Sequence, residues 1–164
     1  MSKGTSKLDH ISSALEYFDR ILSLYKCLEE KRKDAKKFAR SFNTRARNGP
    51  QLIKDQGIIP YLTFLASKSG EDLVRDLYKI LKSEKAQCDK IESLDKAGYA
   101  AYFNAITMYL EKLGILKITE STSVIEIARM LFENLQSYRI IEPVLMNYLA
   151  ELKKLSNAYF KEVE

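Results

Sequence analysis

SKLDHISSALEYFDRILSLYKCLEEKRKDAKKFARSFNTRARN, residues 6–48, contains neither Gly nor Pro. Apolar side chains recur at Leu8, Ile11, Leu15, Phe18, Leu22 and Tyr25, and again at Leu28, Ala35, Phe38, Phe42 and Ala46. Helical spacing of this kind gathers such positions on one face of an amphipathic α-helix. Thr5 or Ser6 can cap the start. Asn48-Gly49-Pro50 supplies a stop, because Gly tolerates the left-handed cap and Pro cannot continue the hydrogen-bond ladder. The stretch predicts one long first helix over about residues 7–48, behind a disordered tail over residues 1–6. At 1.5 Å per residue such a helix is roughly 60 Å long. A compact domain of this size is only about 40 Å across, so the helix has to bend or project as an arm.

The same periodicity continues downstream. A second helix is expected from about Pro50 to Ser69, kinked or broken at Gly57 and Pro60. A third is expected over residues 71–87 and a fourth over 96–113, with Tyr99, Tyr102, Phe103, Ile106, Tyr109 and Leu113 inward. Ser123 and Glu126 have the spacing of a capping box for a fifth, which ends or kinks between Tyr138 and Pro143. A last helix turns Leu145, Tyr148, Leu149, Leu152, Leu155 and Tyr159 inward. No alternating run is long enough for a strand. The expected fold is all-α, a bundle of five to seven helices with a long N-terminal helix, forming a single helical domain over residues 1–164.

Composition narrows the chemistry. The chain has 164 residues, 46% of them hydrophobic and 30% charged, which suits one globular domain and excludes a disordered chain. No apolar run approaches the roughly 18–20 residues of a membrane span, and the polar start is not a signal peptide. Cys27 and Cys88 stand far apart with no motif around them and read as free thiols of a reducing, cytoplasmic protein. His10 is the lone histidine and reads as solvated. There is no zinc-ligand spacing, phosphate-binding loop or nucleophile motif. The expectation is therefore no catalytic residue, no metal, no cofactor and no enzymatic activity. Abundant Lys, Ile and Tyr with few Gln match a thermophilic chain.

The charge is uneven. Between Lys31 and Lys54 stand nine basic residues and one acid, Asp34, so this window carries +8; the whole chain carries +5, leaving −3 elsewhere. A basic segment on a mildly acidic body points to an anionic partner. On a helical wheel Lys33, Lys36, Lys37, Arg40 and Arg47 share a stripe about 100° wide, opposite Ala35, Phe38, Phe42 and Ala46. The aromatics of this stretch therefore belong to the core, and the cations are spaced along an axis as a phosphate backbone requires. Lys33, Lys36, Lys37, Arg40 and Arg47 are the first candidates for phosphate contacts, with Arg45 off the stripe and Lys54, Lys153 and Lys154 behind them.

Three blocks carry a family resemblance. They are Arg45-Ala46-Arg47-x-x-Pro50-x-Leu52-Ile53-x-x-x-Gly57-Ile58-x-x-x-x-Thr63-Phe64-Leu65, Tyr99-x-x-Tyr102-x-x-x-Ile106-x-x-Tyr109-Leu110 and Tyr138-Arg139-x-x-x-x-Val144-x-x-x-Tyr148-Leu149-x-x-Leu152-Lys153-Lys154. Together they resemble the small helical subunit of the type III-B CRISPR effector, the fifth protein of the Cmr complex. The resemblance implies a non-catalytic protein of antiviral defence whose copies stack head to tail as a minor filament. It implies guide RNA and target RNA as partners through backbone contacts, together with the large polymerase-like subunit, the backbone subunit and other copies of itself. Pro50, Gly57 and Phe64 read as a helix start, a close approach and a core anchor, and Arg139 as an ion-pair partner of Glu142. Two alternatives stand beside this: the small subunit of another CRISPR effector type, and an autonomous helical DNA-binding regulator. A bundle enzyme would need inward E-x-x-H pairs, and the sequence has none.

Overall fold

Small residues decide which helix lies at the centre. A computed structural model describes residues 9–83 and 87–161. The helices are α1 (Asp9–Lys31), α2 (Lys36–Gln56), α3 (Ile58–Ser69), α4 (Glu71–Lys82), α5 (Leu94–Lys112), α6 (Val124–Glu133) and α7 (Leu135–Phe160). No strand occurs among the described residues, so the all-α bundle is as expected. In α5, Ala97, Gly98, Ala100, Ala101 and Ala105 let neighbours approach closely, and Tyr102, Phe103, Ile106 and Leu110 fill the spaces between them. Helices α2, α3 and α4 pack around α5, and α7 lies against α1 and α2.

Buried polar pins fix the register. The Tyr17 hydroxyl donates to the Ala101 carbonyl and the Tyr148 hydroxyl to the Ala105 carbonyl (2.9 Å). The Asn104 amide donates to the Val74 carbonyl at 3.0 Å, and the Ser156 hydroxyl to Asn43 Oδ1 at 2.7 Å. Breaking such a bond strands a buried partner at about 1–3 kcal/mol.

The single helix expected over about residues 7–48 is two helices. The chain leaves the helix at Arg32 and re-enters it at Lys36. Arg32 pairs with Asp34 at 3.1 Å, and its Nη1 donates to the carbonyls of Ile91 (2.8 Å) and Glu92 (2.9 Å). This tertiary tie outweighs the local helical preference. Each half is about 30–35 Å long, so the bundle accommodates both without a projecting rod. The expected tail over residues 1–6 and the caps Thr5 and Ser6 lie outside the described residues.

Asn48-Gly49-Pro50 does not end a helix. Helix α2 runs through Pro50 to Gln56, because Gly49 leaves room for the Tyr102 ring and Ile53 is buried beyond it. The stop is Gly57, whose φ of 95° suits Gly and whose N–H donates to the Ile53 carbonyl at 2.8 Å. Pro60 then falls in the first turn of α3, where a missing N–H costs nothing. The capping box forms as expected: Ser123 Oγ accepts from the Glu126 N–H at 3.2 Å, and Glu126 Oε1 from the Ser123 N–H at 2.8 Å. The later break falls at Asn134, and α7 continues through Pro143.

Cys27 and Cys88 are not free thiols. They form a disulfide with Cα atoms 6.1 Å apart, so the premise for a reducing compartment is gone. Cys27 on α1 meets the segment before α5, where Arg32 and the Lys31–Asp89 pair also anchor the chain. A link between residues so distant in sequence leaves no local motif.

Burial holds the Tyr17, Tyr102 and Tyr148 hydroxyls well above their ordinary value of 10.0 and pushes Tyr109 up to about 12. In the unfolded chain they ionise near pH 10. Above that pH the unfolded state binds fewer protons than the folded one, so stability falls as pH rises toward the folded values. The expected result is cooperative alkaline unfolding that sets in near pH 10. Tyrosinate absorbance should rise together with the loss of helical circular dichroism. Complete tyrosine ionisation with the helices intact would contradict this packing.

Candidate nucleic-acid interface

Helix α2 separates two chemistries. Phe38, Phe42 and Ala46 are fully buried, with Phe42 in edge contact with Tyr102 and Phe160. On the opposite side Lys36, Lys37, Arg40 and Arg47 are exposed. Lys33 is exposed as well, but it sits in the turn before α2 and does not continue its helical stripe. Among the described residues none of these five enters an ion pair. Lys31 and Arg32 of the same basic window do, with Asp89 and Asp34, so these two serve the fold.

Arg45 occupies a different setting. It is half-buried, and its guanidinium lies 4.0 Å from the centre of the Tyr99 ring on α5. A cation over a ring face is attracted by the ring quadrupole, which fixes Arg45 without consuming its hydrogen-bond donors. Arg45 also draws down the Tyr61 hydroxyl, although burial dominates and leaves that pKa well above the usual range. Lys37, Arg40, Thr44, Arg45, Asp95 and Tyr99 line an open groove of about 490 Å³ between α2 and the start of α5. The structure thus brings Lys37, Arg40 and Arg45 together and leaves Lys33, Lys36 and Arg47 as outlying cations.

Phe64 is not a core anchor. It is 37% exposed, with its ring 6.2 Å from Tyr99 in edge contact and 6.2 Å from Tyr61 in a near-stacked one. Lys68 Nζ lies 5.6 Å from the centre of the same ring. The clue in the sequence is that Phe64 shares its helical face with Ser67 and Lys68, one step off the buried Tyr61 and Leu65. Among the second-rank cations, Lys54 and Lys153 are exposed, and Lys154 pairs with Glu151 at 2.9 Å. Arg139 is exposed and does not pair with Glu142, whose carboxylate instead accepts from the Tyr138 hydroxyl at 2.9 Å.

Fold and surface together define a helical bundle that presents a cationic face with no ion pair among the described residues. The model of a family described as CRISPR-associated protein (Cas_Cmr5) matches residues 18–159. The chain belongs to that family. It is 28% identical over 148 residues to the CRISPR system CMR subunit Cmr5 of Saccharolobus solfataricus, covering 88% of this chain and 89% of the relative. It also matches a chain in a cryo-EM structure of the type III-B Cmr-beta complex bound to non-cognate target RNA. That match has a TM-score of 0.69 and 25% identity, covering 90% of this chain and 93% of the other. The resemblance carried by the three sequence blocks is to this same family.

Proposed function

We propose that the protein is a non-catalytic small subunit of a cytoplasmic type III-B Cmr ribonucleoprotein. In this reading several copies stack as a minor filament beside the backbone subunit and against the large polymerase-like subunit. The cationic face formed by Lys33, Lys36, Lys37, Arg40, Arg45 and Arg47 holds the guide RNA–target RNA duplex through its phosphates. Base pairing supplies sequence recognition, so the protein needs only backbone and shape.

Family membership supports the complex, and the observation that carries the RNA contact is the row of exposed cations on α2, none of them in an ion pair among the described residues. Unpaired cations spaced along a helix suit a polyanion, because each neutralised phosphate releases condensed counterions. Stacking of copies needs apolar surface left over from the core. Leu15 of α1 is 53% exposed, and Ile125, Phe132 and Ile140 are exposed on α6 and α7. One copy with a handful of phosphate contacts binds weakly, and several copies in register bind as a unit.

The test is a pull-down of the tagged full-length protein from its native host, followed by mass spectrometry and RNA sequencing. The expected result is recovery of Cmr subunits with short RNAs sharing a repeat-derived 5′ tag. Recovery of the protein alone, or with genomic DNA and no guide RNA, would overturn the reading.

A further inference from the structure

We propose that the exposed ring of Phe64, backed by Tyr99 and Tyr61, is a stacking seat for one unpaired base of a bound RNA strand, with Arg45 and Lys68 taking the adjoining phosphates. This rests on RNA being the partner of the cationic face. It adds a contact with a base to a surface otherwise assigned to the backbone.

Four side chains from three helices form a row in which a cation, two rings and a cation follow one another. Lys68 is 5.6 Å from the Phe64 ring centre, Phe64 is 6.2 Å from Tyr99, and Arg45 is 4.0 Å from Tyr99. Among the described residues neither cation is in an ion pair. Phe64 meets Tyr99 edge to face and Tyr61 in a near-stacked contact, so its ring is held from two sides before anything binds. Beyond Arg45 the row opens into the groove lined by Lys37, Arg40 and Thr44, with Asp95 as its one carboxylate. A ring flanked by cations is the arrangement that single-stranded nucleic acid uses, because a base offers a π face and its neighbouring phosphates offer charge. A protein partner would favour an apolar surround, since charged side chains are depleted at interface cores. Arg45 adds a planar guanidinium, on which bases also stack.

The test compares two RNAs of equal phosphate number, an oligouridylate and an abasic ribose-phosphate chain. Each is titrated with the full-length protein at low salt by fluorescence anisotropy. The base-bearing strand is expected to bind about 5–10-fold more tightly, a value at the lower end for one stacked base. Phe64→Leu keeps apolar bulk but removes the π face. It is expected to bring the ratio near one without changing abasic affinity, while Phe64→Tyr retains the preference. Circular dichroism and the thermal midpoint establish that each variant is folded. Equal binding of both strands by the unmodified protein would overturn the stacking seat and leave the phosphate reading standing. Binding of neither strand would overturn both. A Phe64→Leu protein that keeps the ratio but no longer recovers its partner subunits would assign the ring to a protein contact and overturn the proposal.

Discussion

Gly98→Ala is expected to lower stability by about 2–3 kcal/mol, although Ala in a helix interior ordinarily gains close to 1 kcal/mol over Gly. A Cβ at residue 98 would fall inside the contact shell of the Ser41 side chain and 2.8 Å from the backbone N of Phe42. Backbone meets backbone here, so no side chain can simply rotate away. The Ser41 hydroxyl is also engaged, donating to the Asp95 carbonyl at 2.7 Å. Relief requires α2 and α5 to separate, which loosens the packing of Phe42, Ala46 and Ala101. For a chain of this size the thermal midpoint should fall by about 4–12 °C. Ser41→Gly in the same chain should recover part of the loss by removing the opposing atoms. A Gly98→Ala protein as stable as the unmodified one would show that the two helices do not approach as described.

The second large effect concerns the Cys27–Cys88 link, whose partners are 61 residues apart in sequence. On the chain-entropy argument, closing a loop of that length restricts the unfolded state by about 4 kcal/mol. Cys27→Ser with Cys88→Ser, or reduction, should therefore lower the thermal midpoint by about 8–16 °C. The unfolded chain should also expand, so the denaturant m-value should rise as the midpoint falls. A constraint acting only on the folded state would leave the m-value alone. The segment before α5 keeps the Arg32 bonds to Ile91 and Glu92, so the fold should survive at moderate temperature. Identical midpoints with and without reductant would show that the link is absent in solution.

Much of this architecture is written in local patterns. The break at Gly57, though not the close approach read there, the Ser123–Glu126 box and the opposition of Phe38 and Phe42 to the lysines of α2 are all readable because each acts within a turn or two. What escaped depends on distant partners. The break at residues 32–35 has no Gly or Pro. Its one local trace is the lapse of the apolar stripe between Leu28 and Ala35, and its cause is the reach of Arg32 to a segment about sixty residues on. Pro50 reads as a stop only if the space that Gly49 leaves for Tyr102 is unknown. The disulfide is invisible for the same reason. At the interface the cations of α2 were legible from the wheel. The seating of Arg45 on Tyr99 and the exposure of Phe64 were not, because they depend on how α2, α3 and α5 meet.

Salt dependence tests the central claim most directly. RNA binding by the full-length chain should weaken with a log–log slope of roughly −3 to −4, as four or five phosphate contacts on a single strand require. Reversing three of them, with Lys36→Glu, Lys37→Glu and Arg40→Glu in one folded protein, should flatten the slope to about −1 and lower affinity across all sequences alike. An unchanged slope and affinity in that variant would contradict the assignment of RNA to the face of α2.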